Sequence, residues 1–180
     1  MYTKINSQSS LDLVTLSEVK LQLRLTNSFT MDDAYIAGLI SAAGELAQTY
    51  TNRMLSLGSV SQMWQTYEAE YKLWGGNVTS ITSVTGEKPE TGEVVEITDY
   101  RFNELSQKLT IAPESRNLIN ITATYQAGYT VTPTKVKQGI LMMIATFYNN
   151  REDFLVGQTH EKLPFTSTIL LDSVRVPYAS

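Results

Sequence analysis

The sequence contains no cysteine and only one histidine, His160. Without thiols there are no disulfides, no thiolate metal sites and no thiol nucleophile, so packing alone must hold the fold. A single histidine cannot build a His-rich metal site. No Gly-x-Ser-x-Gly phrase stands near it to suggest a hydrolase triad, so a surface or interface histidine is the simpler reading. Charge is sparse as well: 18% of the 180 residues are Asp, Glu, Lys or Arg, and the formal net charge is −4. That balance argues against a general nucleic-acid binder, which carries a clustered basic surface. No stretch approaches the ~20 apolar residues of a membrane span, and no glycine-rich phosphate loop occurs. The opening "MYTKINSQSSLDL" lacks an apolar h-region, so no secretory signal is expected and the chain reads as a soluble, cytoplasmic product.

What is present is ordinary core material. Hydrophobic residues make up 42% of the chain, enough for one domain with a sizeable interior. The phrase "TLSEVKLQLRL" announces a first helix, with Thr15 and Glu18 at capping-box spacing and Leu16, Val19, Leu23 and Leu25 as a short apolar stripe. A longer helix is expected from Asp32 to Thr51, where Ile36, Leu39, Ile40, Ala43, Leu46, Ala47 and Tyr50 recur at helical steps. Asp32 and Asp33 suit its positive end, and Asn52 suits a left-handed stop. From residue 57 the grammar becomes that of strands. "QMWQTYEAEYKLW" alternates as one strand with Tyr67, Ala69, Tyr71 and Leu73 on a side. "NVTSITSVTGEKPETGEVVEITDYRF", "KLTIAP" and "NLINITATYQAGY" supply more, broken by Gly and Pro as hairpins require.

Pro133 then opens another helix. Val136, Ile140, Met143, Ile144 and Phe147 form its main stripe, while Leu141, Met142 and Tyr148 make a second apolar patch. A helix apolar over most of its circumference is either sandwiched in its own fold or turned to a partner chain. "LPFTSTILLDSVRV" allows one more short helix before the tail. The expected fold class is therefore α+β: N- and C-terminal helices (13–55 and 131–175) in a bundle, a small antiparallel β unit (57–130) inserted between them, and an extended tail at 175–180.

Local motifs that invite chemistry have simpler explanations. "TGEKP" at 85–89 matches a zinc-finger linker, but there are no ligands to link, and it reads as a hairpin turn. Asp32-Asp33 and Glu152-Asp153 are adjacent on helices and so diverge; helix-end charge accounts for them. Asn77 and Asn120 head glycosylation sequons that mark only surface strand positions without secretion. Trp64, Trp74 and the ten tyrosines either fill the sheet's core, the simpler reading, or form a binding face. No catalytic residue, cofactor or metal is expected.

Taken in order, these phrases resemble the head–tail connector (adaptor) family of tailed bacteriophages. The likeness runs from 13 to 175: Leu16, Glu18, Lys20, Leu23 and Arg24; "MDDAYIAGLISAAGELAQTYTNRML", with Asn52 where the family has glycine; then "QMW", "VTSITSVTG" and "DYRFN". It closes on Tyr125, Ala127, Gly128, Tyr129, Pro133, Ile140, Leu141, Ala145, Tyr148, Asn150, Arg151 and Glu152.

The resemblance implies structural work in a virion neck, after assembly in the host cytoplasm. Such proteins form homo-oligomeric rings, generally twelve-fold, that dock under the portal and pass double-stranded DNA without sequence-specific binding. They offer a platform to a downstream stopper or tail-completion protein. On that view Leu141, Met142, Tyr148, Arg151, Glu152, Arg175, Val176 and Tyr178 are the expected subunit or portal contacts. A stopper or tail-completion protein is the neighbouring alternative, and a β-sheet ligand-binding module the more distant one. The tail is expected to be extended and to dock outward, with a tail folded back on its own subunit as the other possibility.

Overall fold

A computed structural model describes residues 1–151 and 165–176. The chain is α+β and divides into two compact units, each made of two separate stretches. The first unit comprises residues 1–9 and 56–130, the second 10–55 and 131–180.

The first unit is antiparallel throughout. Its larger sheet has the order β1 (Tyr2–Gln8), β2 (Gly58–Trp64), β8 (Ile119–Ala127), β4 (Val78–Glu87), β5 (Val94–Glu96). The smaller sheet orders β3 (Glu70–Lys72), β7 (Lys108–Ile111) and β6 (Tyr100–Asn103). The central strand β8 shows the alternation its sequence promises: Ile121, Ala123, Tyr125 and Ala127 are buried. "TGEKP" does close the β4–β5 hairpin. The Lys88 N–H donates to the Glu93 carbonyl at 2.9 Å, and an exposed Lys88–Glu93 ion pair spans the turn at 2.8 Å.

Two strand readings need correction. Nothing in the sequence announces strand β1, because "YTKINSQ" is polar and both its faces stay exposed, which leaves no hydrophobic period to read. It exists because its backbone pairs with β2, Tyr2 opposite Met63 through Gln8 opposite Gly58. "QMWQTYEAEYKLW" is also not one strand. It breaks between Trp64 and Glu70, its ends joining different sheets. The Tyr71 hydroxyl accepts the Glu68 N–H at 2.6 Å and stabilises the loop that interrupts the alternation. Ala69 is exposed as a result, while Tyr71 and Leu73 are buried.

A buried polar knot lies under the central strand. The Gln62 Oε1 accepts the Tyr125 hydroxyl at 2.8 Å and the Trp74 N–H at 2.9 Å. Burial pushes the Tyr125 phenol well above its usual range, so it stays a neutral donor. Gly128, just beyond β8, has φ +106°, and a Cβ there would lie 2.1 Å from the Ser56 carbonyl oxygen. The glycine in Tyr-x-Ala-Gly-Tyr is thus a requirement of backbone approach. The Asn77 side chain donates to the Gly128 carbonyl at 2.7 Å, so this sequon asparagine is an internal brace.

The second unit holds α1 (Leu16–Gln22), α2 (Asp33–Thr51), α3 (Thr134–Asn149) and α4 (Phe165–Asp172). Helix α3 touches the other three. The capping box at Thr15 and Glu18 is formed on both sides. Helix α1 stops one turn earlier than its stripe suggests. Arg24 takes φ +59°, the Leu25 N–H bonds the Lys20 carbonyl and the Arg24 N–H bonds the Leu21 carbonyl. That pair of bonds is a Schellman ending, with arginine in the place glycine more often fills. Asn52 ends α2 in the left-handed conformation, φ 49°, as its position suggested.

Candidate assembly interface

The residues singled out from the sequence lie on α3, just after it, and near the end of the chain. Leu141 is buried in its own unit at 9% exposure, so it has little surface left for a second chain. Met142 and Tyr148 are half-buried and Arg151 is exposed. Glu152, Tyr178 and His160 lie outside the described residues.

Arg151 is not a bare charge. Its guanidinium meets the Asp32 Oδ2 at 3.0 Å and sits 4.6 Å over the Tyr35 ring and 5.1 Å over the Tyr148 ring. The Tyr148 hydroxyl donates to the same Asp32 oxygen at 2.5 Å. The Tyr148 hydroxyl, then Arg151, hold the Asp32 carboxyl below its usual range, and the carboxylate raises the Tyr148 phenol in return. The two phrases that stand 116 residues apart in the sequence, Asp-Asp and Tyr-x-Asn-Arg, therefore form one clasp.

The neighbouring carboxylate has a different partner. Asp33 pairs with the buried Lys20 of α1 at 2.6 Å. Glu18 of the same helix reaches α3, where it meets Lys137 Nζ at 2.7 Å. The Lys137 contact and the Thr15 N–H together draw the Glu18 carboxyl down to about 2. Adjacent carboxylates diverge, as expected, but each divergence ends in a specific pair. Helix-end charge was too general a description of Asp32 and Asp33.

The tail is expected from the sequence to dock outward, with a tail folded back on its own subunit as the other possibility, and its first two residues take the second course. The Val176 N–H donates to the Thr51 carbonyl at 2.9 Å, and the Asn52 side chain donates to the Val176 carbonyl at 3.4 Å. The open carbonyls at the end of α2 supply the physical reason, since they need donors. Arg175 lies 5.0 Å over the Tyr50 ring and 3.8 Å from Asp172, whose carboxylate also accepts the Tyr50 hydroxyl at 2.8 Å.

Sequence reasoning passed over the outward side of α2. Ala34, Gly38, Ser41, Ala42, Glu45 and Thr49 lie there, all exposed, with Tyr35 and Leu46 on its flank. The same helical period that marks the core face marks this one, but its small and polar residues form no apolar stripe to signal it. Among the described residues no group of three or more His, Asp or Glu side chains converges to hold a metal. None of their helices is long and apolar enough to cross a membrane.

Comparison with known proteins fits this picture. Three solved chains share the fold along their whole length. One comes from the neck of an empty gene transfer agent particle computed with C6 symmetry (TM-score 0.74, 15% identity, covering 100% of this chain and 98% of that one). Another is from the virion of a native gene transfer agent particle (0.73, 16%, the same coverage). A third is from the neck of the native particle computed with C12 symmetry (0.72, 13%, the same coverage). A search of curated protein sequences finds no match. The family model for head completion proteins matches residues 12–169, and this chain, built of an antiparallel β unit and a clasped set of helices, belongs to the head completion protein family.

Proposed function

We propose that the protein is a head–tail connector (adaptor) subunit. It forms a homo-oligomeric ring, docks on the portal, extends the DNA channel and presents a platform to the next neck protein. The observation that carries this reading is the end-to-end fold likeness to chains from gene transfer agent particles, two of them from necks computed with C6 and C12 symmetry. Family membership supports the same assignment.

The division of labour follows the two units. The helices act as the ring-forming bundle, and the β unit is an insertion between them in the chain. Met142, Tyr148 and Arg151 remain exposed enough to take part in contacts between subunits, whereas Leu141 serves its own core. Arg175 and Val176 act from a seated position at the end of α2, and Glu152 and Tyr178, outside the described residues, remain proposed contacts. The neck role is mechanical. Each carboxylate of the clasp and of the α1 pairs is committed to a cation or hydroxyl, not poised toward an open cleft.

A channel that passes DNA is best not lined with clustered cations, which would hold phosphates. The net charge of −4 suits that task. The test is negative-stain imaging of the purified protein, alone and mixed with the portal of its own particle. Rings on the bare portal support the adaptor reading. Binding only to a portal that already carries another ring would make it a stopper or tail-completion protein. A chain that neither oligomerises nor binds any portal assembly defeats the neck reading altogether.

A further inference from the structure

We infer that the outward side of α2 receives the outward side of α3 from the next copy of this chain, head to tail. The inference rests on the ring reading and names the surfaces that would close it.

The first observation is Gly38. It sits in the middle of α2, where glycine weakens a helix relative to alanine. Positions 44, 128 and 139 each put a neighbour within 3.5 Å of an added Cβ, yet at Gly38 nothing among the described residues lies within 4 Å. None of the described residues asks for glycine there. A backbone that must admit another chain does ask for it.

The second observation is the surrounding surface. Glu45 is the sole charged residue of the outward line itself, with the Asp12 carboxylate beside it accepting the Ser41 hydroxyl at 2.9 Å, while Tyr35 and Leu46 expose 37% and 39% of their surface. Solvated helix faces ordinarily carry several charges. The third observation is the matching line on α3: Lys135, Gln138, Met142, Ala145 and Asn149 follow one another at steps of three and four, opposite the buried Val136, Ile140, Met143 and Ile144. Its sole charge, Lys135, is positive. Neither Glu45 nor Lys135 has an ion-pair partner among the described residues.

These lines fit in one direction. Set antiparallel and centred on each other, the two helices bring Met142 over the Gly38–Ala42 depression. Glu45 then lies within about a turn of Lys135. A parallel setting separates those charges by most of the helix length. Met142 suits the role of inserted side chain, because an unbranched thioether fills an irregular gap readily. The two lines lie on different helices of one unit, so each copy can offer one and accept the other. Contacts of that kind repeat around an axis and close into a ring.

The absence of cysteine makes the contact directly testable. A Gly38→Cys, Met142→Cys double variant is assembled on the portal and oxidised. An intrachain bridge is not expected, since the described Met142 side chain does not come within 4 Å of a Cβ at position 38 of its own subunit. The expected result is a ladder of covalent dimers, trimers and higher species in the double variant and none in either single variant. No ladder in the double variant, with wild-type rings still forming, overturns the α2–α3 contact and leaves the ring reading intact. Dimers from Gly38→Cys alone overturn it too, in favour of a two-fold contact. Wild-type protein that fails to assemble refutes the ring reading itself.

Gly38→Leu supplies a second readout that separates folding from docking. The free subunit should melt about 2–4 °C higher, since leucine favours helix and meets no obstruction. Portal-bound assembly should fall at least about tenfold, the loss that follows from ~1.4 kcal/mol of steric cost. Undiminished assembly by this variant overturns the proposal.

Discussion

The two units are closed by different chemistry. The interior of the β unit is tied by neutral groups, the Gln62–Tyr125–Trp74 knot, the Asn77–Gly128 brace and a glycine that lets two backbones touch, while its ion pairs Lys88–Glu93 and Lys108–Glu70 stay exposed. The helical unit is tied by charge at helix ends: Lys20–Asp33, Glu18–Lys137 and the Asp32–Tyr148–Arg151 clasp. The reason is geometric. A sheet satisfies its polar backbone laterally, so its remaining problems are interior and call for neutral partners. Helices leave polar groups open at their ends, near solvent, where ion pairs are tolerated and each can join two elements. One unit should therefore be sensitive to shape and the other to protonation.

That contrast can be broken or sharpened in four ways. The largest effect is expected from Gly128→Ala, which combines a left-handed φ with a backbone clash at 2.1 Å. Denaturant titration should show a loss of about 3 kcal/mol or more in the β unit. A loss under 1 kcal/mol would mean that the Ser56 segment moves aside freely. Next is Asp33→Asn, which strands a lysine only 3% exposed. We expect about 2–3 kcal/mol, less than for a fully enclosed pair because the Asp33 side chain is 31% exposed. Restoration by the further change Lys20→Met would show that the stranded charge, and not lost packing, is the cause.

Gly44→Ala tests shape inside the unit that depends on charge. Its added Cβ would lie 2.2 Å from the Leu11 carbonyl oxygen, but its helical φ suits alanine. The propensity gain offsets part of the clash, and a thermal melt should register a net loss of about 1–2 kcal/mol. Opposite signs at Gly44 and Gly38, six residues apart in one helix, would show that only one of them has an internal reason.

The smallest expected effect is the response to acid. Glu18 is held at about 2 against an ordinary 4.5, so its contribution is complete above pH 4.5 and is lost as pH falls toward 2. Since its side chain is 35% exposed, solvent screening cuts the contribution to about 1 kcal/mol. Asp32 is depressed in the same sense. Hydrogen exchange between pH 6 and 3 should show the helices loosening before the sheet, and Glu18→Gln should shrink that difference. Equal loosening of both units would erase the contrast.

Much of this molecule was legible wherever the determining physics is local. The bounds of α2, the start of α3, the Thr15–Glu18 box, the Asn52 stop, the β4–β5 turn and the alternation of β8 all rest on residues within a few positions of one another. Helical period, capping and turn chemistry act over that range, so the chain could announce them unaided.

What the tertiary structure decided involves partners far apart in the chain. The polar strand β1 exists only because β2 offers hydrogen bonds about 55 residues later. Leu141 could have faced inward or outward by period alone, and the packing of α3 against three helices turned it in. Asp32 was readable as a helix-end charge, but its clasp with Tyr148 and Arg151 needed the ends of α2 and α3 brought together. The seat of Val176 on Thr51 likewise waited on a carbonyl 125 residues away. A side chain's type limits which bonds it can make; only the folded chain places the other half of the bond within reach.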